Sequence, residues 1–264
     1  MIELICVDVD GTLVGSSGTV HSDVWEATRE ARQRGVHLAI CSGRPGFGLA
    51  REYAARLDPA GWHIFQNGAS IVSLATGESH SRPLPAAALT RLIGRARETG
   101  RPLELYDDAG YAVESTGERA RRHAALLGVP FAPRPFEEIA PRAVRAQWLI
   151  ADHEAARVLA ERDDELTMAT SLSPVMPDTV FVNMTPRGVD KGTALRAIAD
   201  AYAVPLERVM MVGDGANDVA AMRVAGVAVA MGNAEEEALA VAAHVVAHVD
   251  AGGLAEALEL AATL

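Results

Sequence analysis

Along the first eighty residues, short apolar runs alternate with stretches whose apolar positions recur at helical spacing. Residues 2–9 are nearly continuous Ile, Leu, Val and Cys, the pattern of a strand buried on both faces of a parallel sheet. Residues 22–34 read as a helix, with Asp23 and Glu26 in its first turn and Gly35 just past its end. Residues 36–41 read as a second buried strand. A glycine-studded turn over 42–48 leads into a helix through Leu57, and Ile64-Phe65 opens a third strand that meets Asn67-Gly68, a hairpin turn signal. The last eighty residues use the same grammar: helix over 192–202, strand over 209–212, helix over 219–225, strand over 227–231. This alternation predicts a doubly wound α/β core on a mostly parallel, Rossmann-like sheet.

Between about residues 83 and 184 the texture changes. A helix over 86–99 precedes two closely spaced strands (103–106 and 111–114) and a basic helix (117–127). A proline-rich passage (Pro130, Pro133, Pro135, Pro141) then leads to a strand over 144–150, another helix, and two last strands ending at 180–183. Strands joined by short turns predict an α+β insertion. The expected organisation is therefore a core of residues 1–82 and 185–264 interrupted by an inserted domain of residues 83–184.

Composition narrows the function classes. A chain of 264 residues that is 49% hydrophobic can bury a sizeable core, which excludes disorder as its main state. A net charge of -11 and a pI near 5.2 repel a phosphate backbone, and 5% aromatics give few stacking platforms for unpaired bases, so no nucleic-acid partner is expected. The N-terminus carries Glu3 and Asp8 where an export signal would need basic residues. The apolar run 224–234 is too short and too glycine-rich to cross about 30 Å of hydrocarbon. A cytoplasmic location without a membrane partner is the expectation. Cys6 and Cys41 lie in apolar runs without CxxC spacing and read as small buried hydrophobes. The eight histidines are scattered and take no role. Of 24 basic residues, Lys191 is the only lysine, which suggests a place where a compact ammonium cannot be exchanged for a planar guanidinium.

Four short motifs carry candidate chemistry. Asp8-Val9-Asp10-Gly11-Thr12 follows the first buried strand, so its carboxylates emerge where open α/β sheets bind ligands. One carboxylate can attack while its neighbour moves a proton; the same pentapeptide also suits an Asp-Gly turn with a capping Asp. A calcium loop is excluded, because Gly11 at its sixth position would place Cys6 first and Ser17 last. Gly213-Asp214-Gly215-Ala216-Asn217-Asp218 follows another buried run, and its dense side-chain oxygens suit a hard cation such as Mg2+ as well as a helix N-cap. Asp218 at the third glycine position excludes a dinucleotide fingerprint. Ser42-Gly43-Arg44 offers a hydroxyl and an unhindered amide ahead of a helix, an anion seat. Lys191 opens a further helix but lacks P-loop spacing.

In chain order (Asp8-x-Asp10, Ser42, Lys191, then Gly213-Asp214-x-x-Asn217-Asp218), the motifs resemble those of the haloacid dehalogenase superfamily of phosphohydrolases. Asn67-Gly68-Ala69, Ser42-Gly43-Arg44 and the stretch from Ala230 to Ala234 are similar to those of its Cof-type branch. The resemblance implies Asp8 as the nucleophile that forms an aspartyl-phosphate and Asp10 as general acid and base. It implies Asp8, the Asp10 carbonyl and Asp214 as ligands of Mg2+, with Asp218 in the outer shell. Val9, Ser42, Gly43, Lys191 and Asn217 would hold the phosphoryl group, and the insertion would form a cap over the substrate. Arg44, Asp107 and Tyr111 are further substrate-binding candidates. The expected activity is Mg2+-dependent hydrolysis of a small phosphorylated metabolite, a sugar phosphate first of all. The alternatives are a phosphotransferase or phosphomutase using the same intermediate, and a non-catalytic regulator that binds a phosphometabolite.

Overall fold

The apolar run near the N-terminus forms β1 (Leu4–Val7), all four residues buried. In this computed structural model, which describes residues 1–171, 173 and 175–264, it is followed by α1 (Val24–Gln33), β2 (His37–Ile40), α2 (Leu49–Leu57) and the antiparallel pair β3 (Trp62–Phe65) and β4 (Ser70–Ser73). Next come α3 (Ala86–Thr99), β5 (Leu103–Tyr106), β6 (Tyr111–Val113), α4 (Glu118–Leu127), β7 (Arg145–Ile150), α5 (Ala155–Ala160), β8 (Leu166–Ser171) and β9 (Val180–Pro186). The chain ends with α6 (Lys191–Ala201), β10 (Val209–Gly213), α7 (Val219–Val224), β11 (Val227–Ala230), α8 (Glu236–Leu239), β12 (His244–Val245) and α9 (Gly253–Leu260).

These elements divide into a first unit of Met1–Arg44, Ala50–His80 and Asp190–Leu264, and a second of Pro45–Leu49 and Ser81–Val189. The second unit is longer than the insertion expected over 83–184. β9 continues to Pro186, opposite Leu166, and the Val189 N–H donates back to the Pro186 carbonyl, which keeps the turn in the same unit.

In the first unit the sheet order is β12-β11-β10-β1-β2, parallel throughout. Alternate side chains serve two cores. Ile5, Val7, Leu38, Ile40, Met210 and Val212 pack with α1, α2 and α9 on one face. Leu4, Cys6, Ala39, Cys41, Val209 and Met211 pack with α6 and α7 on the other. Burial on both faces explains why these strands read as unbroken apolar runs. Both cysteines are free buried thiols.

The Asn67-Gly68 signal marks a reversal between β3 and β4, but the turn is wider than a two-residue one. Gln66 (φ 54), Asn67 (φ 55) and Gly68 (φ 97) are all left-handed. Gly68 has a second reason to lack a side chain, since a Cβ there would lie 2.2 Å from the Asp190 carbonyl ahead of α6.

In the second unit the sheet is antiparallel, in the order β6-β5-β7-β9-β8. One face is apolar, with Leu103, Leu105, Ala146, Trp148 and Val182 packed against α3 and α5. The other carries buried polar groups. Glu104 accepts hydrogen bonds from the Tyr106 hydroxyl and from Gln147 Nε2 (3.3 Å), with His123 Nδ1 at 2.8 Å, while Arg145 lies over the Tyr106 ring and donates to Asn183 Oδ1. Among the described residues no helix is long and apolar enough to cross a membrane.

Candidate active site

Register sets the site. Val7 lies opposite Val212 on one side and Ile40 on the other, so Asp8, the Cys41-Ser42 pair and Gly213-Asp214 leave the sheet at one edge. This is the C-terminal edge of β1, flanked by β2 and β10, where the connections change direction and open α/β sheets hold their ligands.

Lys191, the first residue of α6, sends its ammonium between two of these loops. Nζ donates to Asp8 Oδ1 at 2.7 Å and to Asp218 Oδ1 at 2.6 Å, with the Lys191 side chain wholly buried. A cation at a helix N-terminus is unfavourably placed against the helix dipole, and the two carboxylates offset that cost. Asp190 caps the helix, accepting from the Thr193 N–H at 2.7 Å, so the start of α6 and the reach of Lys191 are fixed together. Burial alone would pull the ammonium down; Asp218 and Asp8 outweigh it and raise its pKa.

Asp218 is fully employed. Its second oxygen accepts the main-chain N–H groups of Asp214 and Gly215, both at 3.0 Å, which folds the loop after β10 back onto the Lys191 pair. Asp214 accepts from the Thr12 hydroxyl at 2.8 Å. Gly11, with φ +81, passes so near that a Cβ would lie 2.1 Å from Asp214 Oδ2.

One ligand oxygen each from Asp8, Asp214 and Asp218 lie within 4.8 Å of one another. Three carboxylates against one ammonium leave excess negative charge in a poorly solvated place. Burial, opposed by Lys191 and reinforced by Asp218 and Asp214, pushes Asp8 up to about 8. Asp214 is pushed up to about 6, again chiefly by burial.

The Asp10 side chain stands outside this cluster. It is 63% exposed and gripped by Arg44, whose Nε donates to Oδ2 at 2.8 Å and Nη2 to Oδ1 at 2.5 Å. The pair forms part of the wall of an open cavity of about 430 Å³ shared with Ser16, Asn233 and His248. Ser42 is buried, and its hydroxyl accepts from the Arg44 N–H at 3.1 Å. Asn217 donates to Asn67 Oδ1, the same oxygen that lies beside Gly43. Val9 is buried, its carbonyl accepting the N–H groups of Leu13 and Val14.

Asp107 and Tyr111 lie in the second unit, at its first hairpin. Asp107 accepts from the Ala109 and Gly110 N–H groups and from Arg142, a turn-closing pattern. The Tyr111 hydroxyl is buried and has no hydrogen-bond partner among the described residues, its ring near those of Phe47 and Tyr106.

Several supports escaped the sequence reading. Asn233 donates to the Gly11 carbonyl at 2.8 Å and accepts from the Val249 N–H, and Glu235 accepts from the Ala216 N–H at 2.7 Å. Both residues lie in loops that sequence motifs bring to notice but do not pair.

Comparison with known proteins identifies the family. The family described as haloacid dehalogenase-like hydrolase matches residues 5–258. A pyridoxal phosphate phosphatase of Escherichia coli (strain K12) is 29% identical over 88% of this chain and 89% of its own. A 5-amino-6-(5-phospho-D-ribitylamino)uracil phosphatase of Bacillus subtilis (strain 168) is 25% identical over 89% of this chain and 86% of its own. A crystal structure of a haloacid dehalogenase-like hydrolase from Bacteroides thetaiotaomicron shares the fold with a TM-score of 0.88 and 26% identity, covering 98% of this chain and 99% of that one. The chain belongs to the haloacid dehalogenase-like hydrolase family, as one of its phosphoric monoester hydrolases.

Proposed function

We propose that this chain is a Mg2+-dependent phosphatase that hydrolyses a small phosphorylated metabolite, in the first place a sugar phosphate, through an aspartyl-phosphate on Asp8. The observation that carries the reading is the wholly buried Lys191 ammonium between Asp8 and Asp218, at the sheet edge that also presents Asp214.

The donor set fits a small hard cation. It is all oxygen, and burial, reinforced by the neighbouring carboxylates, holds Asp8 and Asp214 above the usual carboxylate range when no metal is bound. Asp8, Asp214 and the Asp10 main-chain carbonyl would hold Mg2+, with Asp218 behind them. When bound, the ion supplies the counter-charge that keeps Asp8 ionised beside a phosphate dianion and polarises the phosphoryl oxygens.

The chain's own groups then divide the work. Asp8 Oδ attacks phosphorus and the bond to the leaving-group oxygen breaks, while Asp10 gives that oxygen a proton. Asp10 next takes a proton from water, which attacks the aspartyl-phosphate and releases inorganic phosphate and the Asp8 carboxylate. Lys191, the Ser42 hydroxyl, the Val9 and Gly43 N–H groups and Asn217 hold the three phosphoryl oxygens, so most of the acceleration comes from position and charge.

Hydrolysis of p-nitrophenyl phosphate with and without Mg2+ tests the reading. Metal-dependent release is expected in the native chain, with a loss of several orders of magnitude in Asp8→Asn and no loss of fold by circular dichroism. Undiminished turnover in Asp8→Asn would remove Asp8 as nucleophile.

A further inference from the structure

We propose that Arg44 is a positioning residue for Asp10: its guanidinium sets the plane of the Asp10 carboxyl group, which in its protonated form passes its proton to the leaving-group oxygen and is left as the carboxylate. The inference rests on the phosphatase reading above and adds a role that the motifs do not give.

Three observations carry it. First, the contact is a two-point fork. Nε and Nη2 of Arg44 each bind a different oxygen of Asp10, a geometry that fixes orientation as well as distance. Without it, a side chain this exposed, next to a left-handed glycine, would exchange rotamers on the picosecond to nanosecond scale.

Second, Arg44 is itself held at both main-chain groups. Its N–H donates to Ser42 Oγ at 3.1 Å, and its carbonyl accepts from the Gln66 N–H at 2.9 Å. The fork therefore ties the turn after β2, which carries Ser42, to the end of β1, which carries Asp8 and Asp10. The candidate anion seat and the candidate proton donor are placed by one side chain.

Third, the fork leaves Asp10 usable. A carboxylate has about four lone-pair sites and Arg44 occupies one on each oxygen. The pair lines the open cavity of about 430 Å³ beside Ser16 and Asn233, so the carboxylate's remaining edge stays reachable. A lysine at position 44 could offer a charge but no fork. Because both partners are partly exposed, the pair contributes little to folding, and its effect should appear in the reaction instead.

Protonation of the leaving group matters most when that group is a poor one. The native chain, Arg44→Gln, Arg44→Lys, Asp10→Asn and the Arg44→Gln/Asp10→Asn double variant would be compared on p-nitrophenyl phosphate and on an alkyl phosphate. Binding of inorganic phosphate would be measured by calorimetry. In Arg44→Gln, kcat should fall roughly 10- to 100-fold further for the alkyl than for the aryl ester, with Arg44→Lys in between. The double variant should be no slower on the alkyl ester than Asp10→Asn, and phosphate affinity should not move. Equal losses on both esters, or a matching loss of phosphate affinity, would overturn the proposal; the second result would make Arg44 a direct ligand of the substrate. Failure of the native chain to hydrolyse either ester would instead refute the phosphatase reading, and this inference with it.

Discussion

Gly11 shows how one residue can set the chemistry of its neighbours. It takes φ +81 between Asp10 and Thr12, and a Cβ at this position would sit 2.1 Å from Asp214 Oδ2. Gly11→Ala would therefore add about 1 kcal/mol of backbone strain and push Asp214 off the Thr12 hydroxyl. The Mg2+ concentration that half-saturates activity should rise at least about tenfold, measured by metal titration of turnover. His63 is a counter-example, a histidine whose work is entirely structural. It is buried, accepts from the Ile40 N–H at 3.0 Å through Nδ1, lies 2.9 Å from the Asp58 carbonyl through Nε2, and is held down to about 4, chiefly by burial. His63→Ala should leave the Ile40 N–H buried and unpaired and cost about 2 kcal/mol in urea unfolding at neutral pH. Nothing at this scale announced the Asp10–Arg44 fork. Its residues are 34 positions apart, and only the placement of two loops brings them together.

At the scale of elements, α6 is the one on which the site depends. Asp190 caps it and Lys191 opens it, so weakening the cap loosens the ammonium that joins Asp8 to Asp218. Asp190→Ala should lower stability by about 1 kcal/mol in a denaturant titration and reduce turnover more than a surface cap of equal worth would. Strands β1, β2, β10 and β11 were legible because strands buried on both faces are continuous apolar runs. The helices between them were legible from capping and period. The C-terminal elements were not. β12 is two residues long, too short to display any period. α9 is rich in Ala and Leu, and its packing partner α1 lies far away in sequence. In the second unit, Gln147 and Asn183 are buried polar residues within β7 and β9. Their partners, Glu104 and Arg145, come from neighbouring strands, which no single stretch of sequence reveals.

At the scale of the whole molecule, the site is a charge imbalance held in place by the fold. Asp8 at about 8 and Asp214 at about 6, against 3.8 when unfolded, mean that the metal-free folded chain keeps protons that the unfolded chain has released. Stability of the metal-free chain should therefore fall as pH rises from about 4 to about 8. His63 acts with the opposite sign. Neutral in the fold, its contribution is complete above about 6.5 and is lost as pH falls through about 4. Subtracting the Tm without Mg2+ from the Tm with it removes the histidine contribution. The difference should grow with pH across the same window and level off above about 8, as differential scanning fluorimetry can record; a flat difference would mean that the carboxylates do not hold the ion. The motifs made the carboxylates legible, but not how many would share one ammonium, because that number depends on burial.

A chain whose one lysine is sealed inside the site has an unusual outer chemistry. Lys191 is the only lysine of the sequence, and its side chain is wholly buried. An amine-directed label should therefore reach the Lys191 ammonium only when the site opens, and the rate of its adduct there, followed by mass spectrometry, would time each opening of the cluster that Asp8 and Asp218 close.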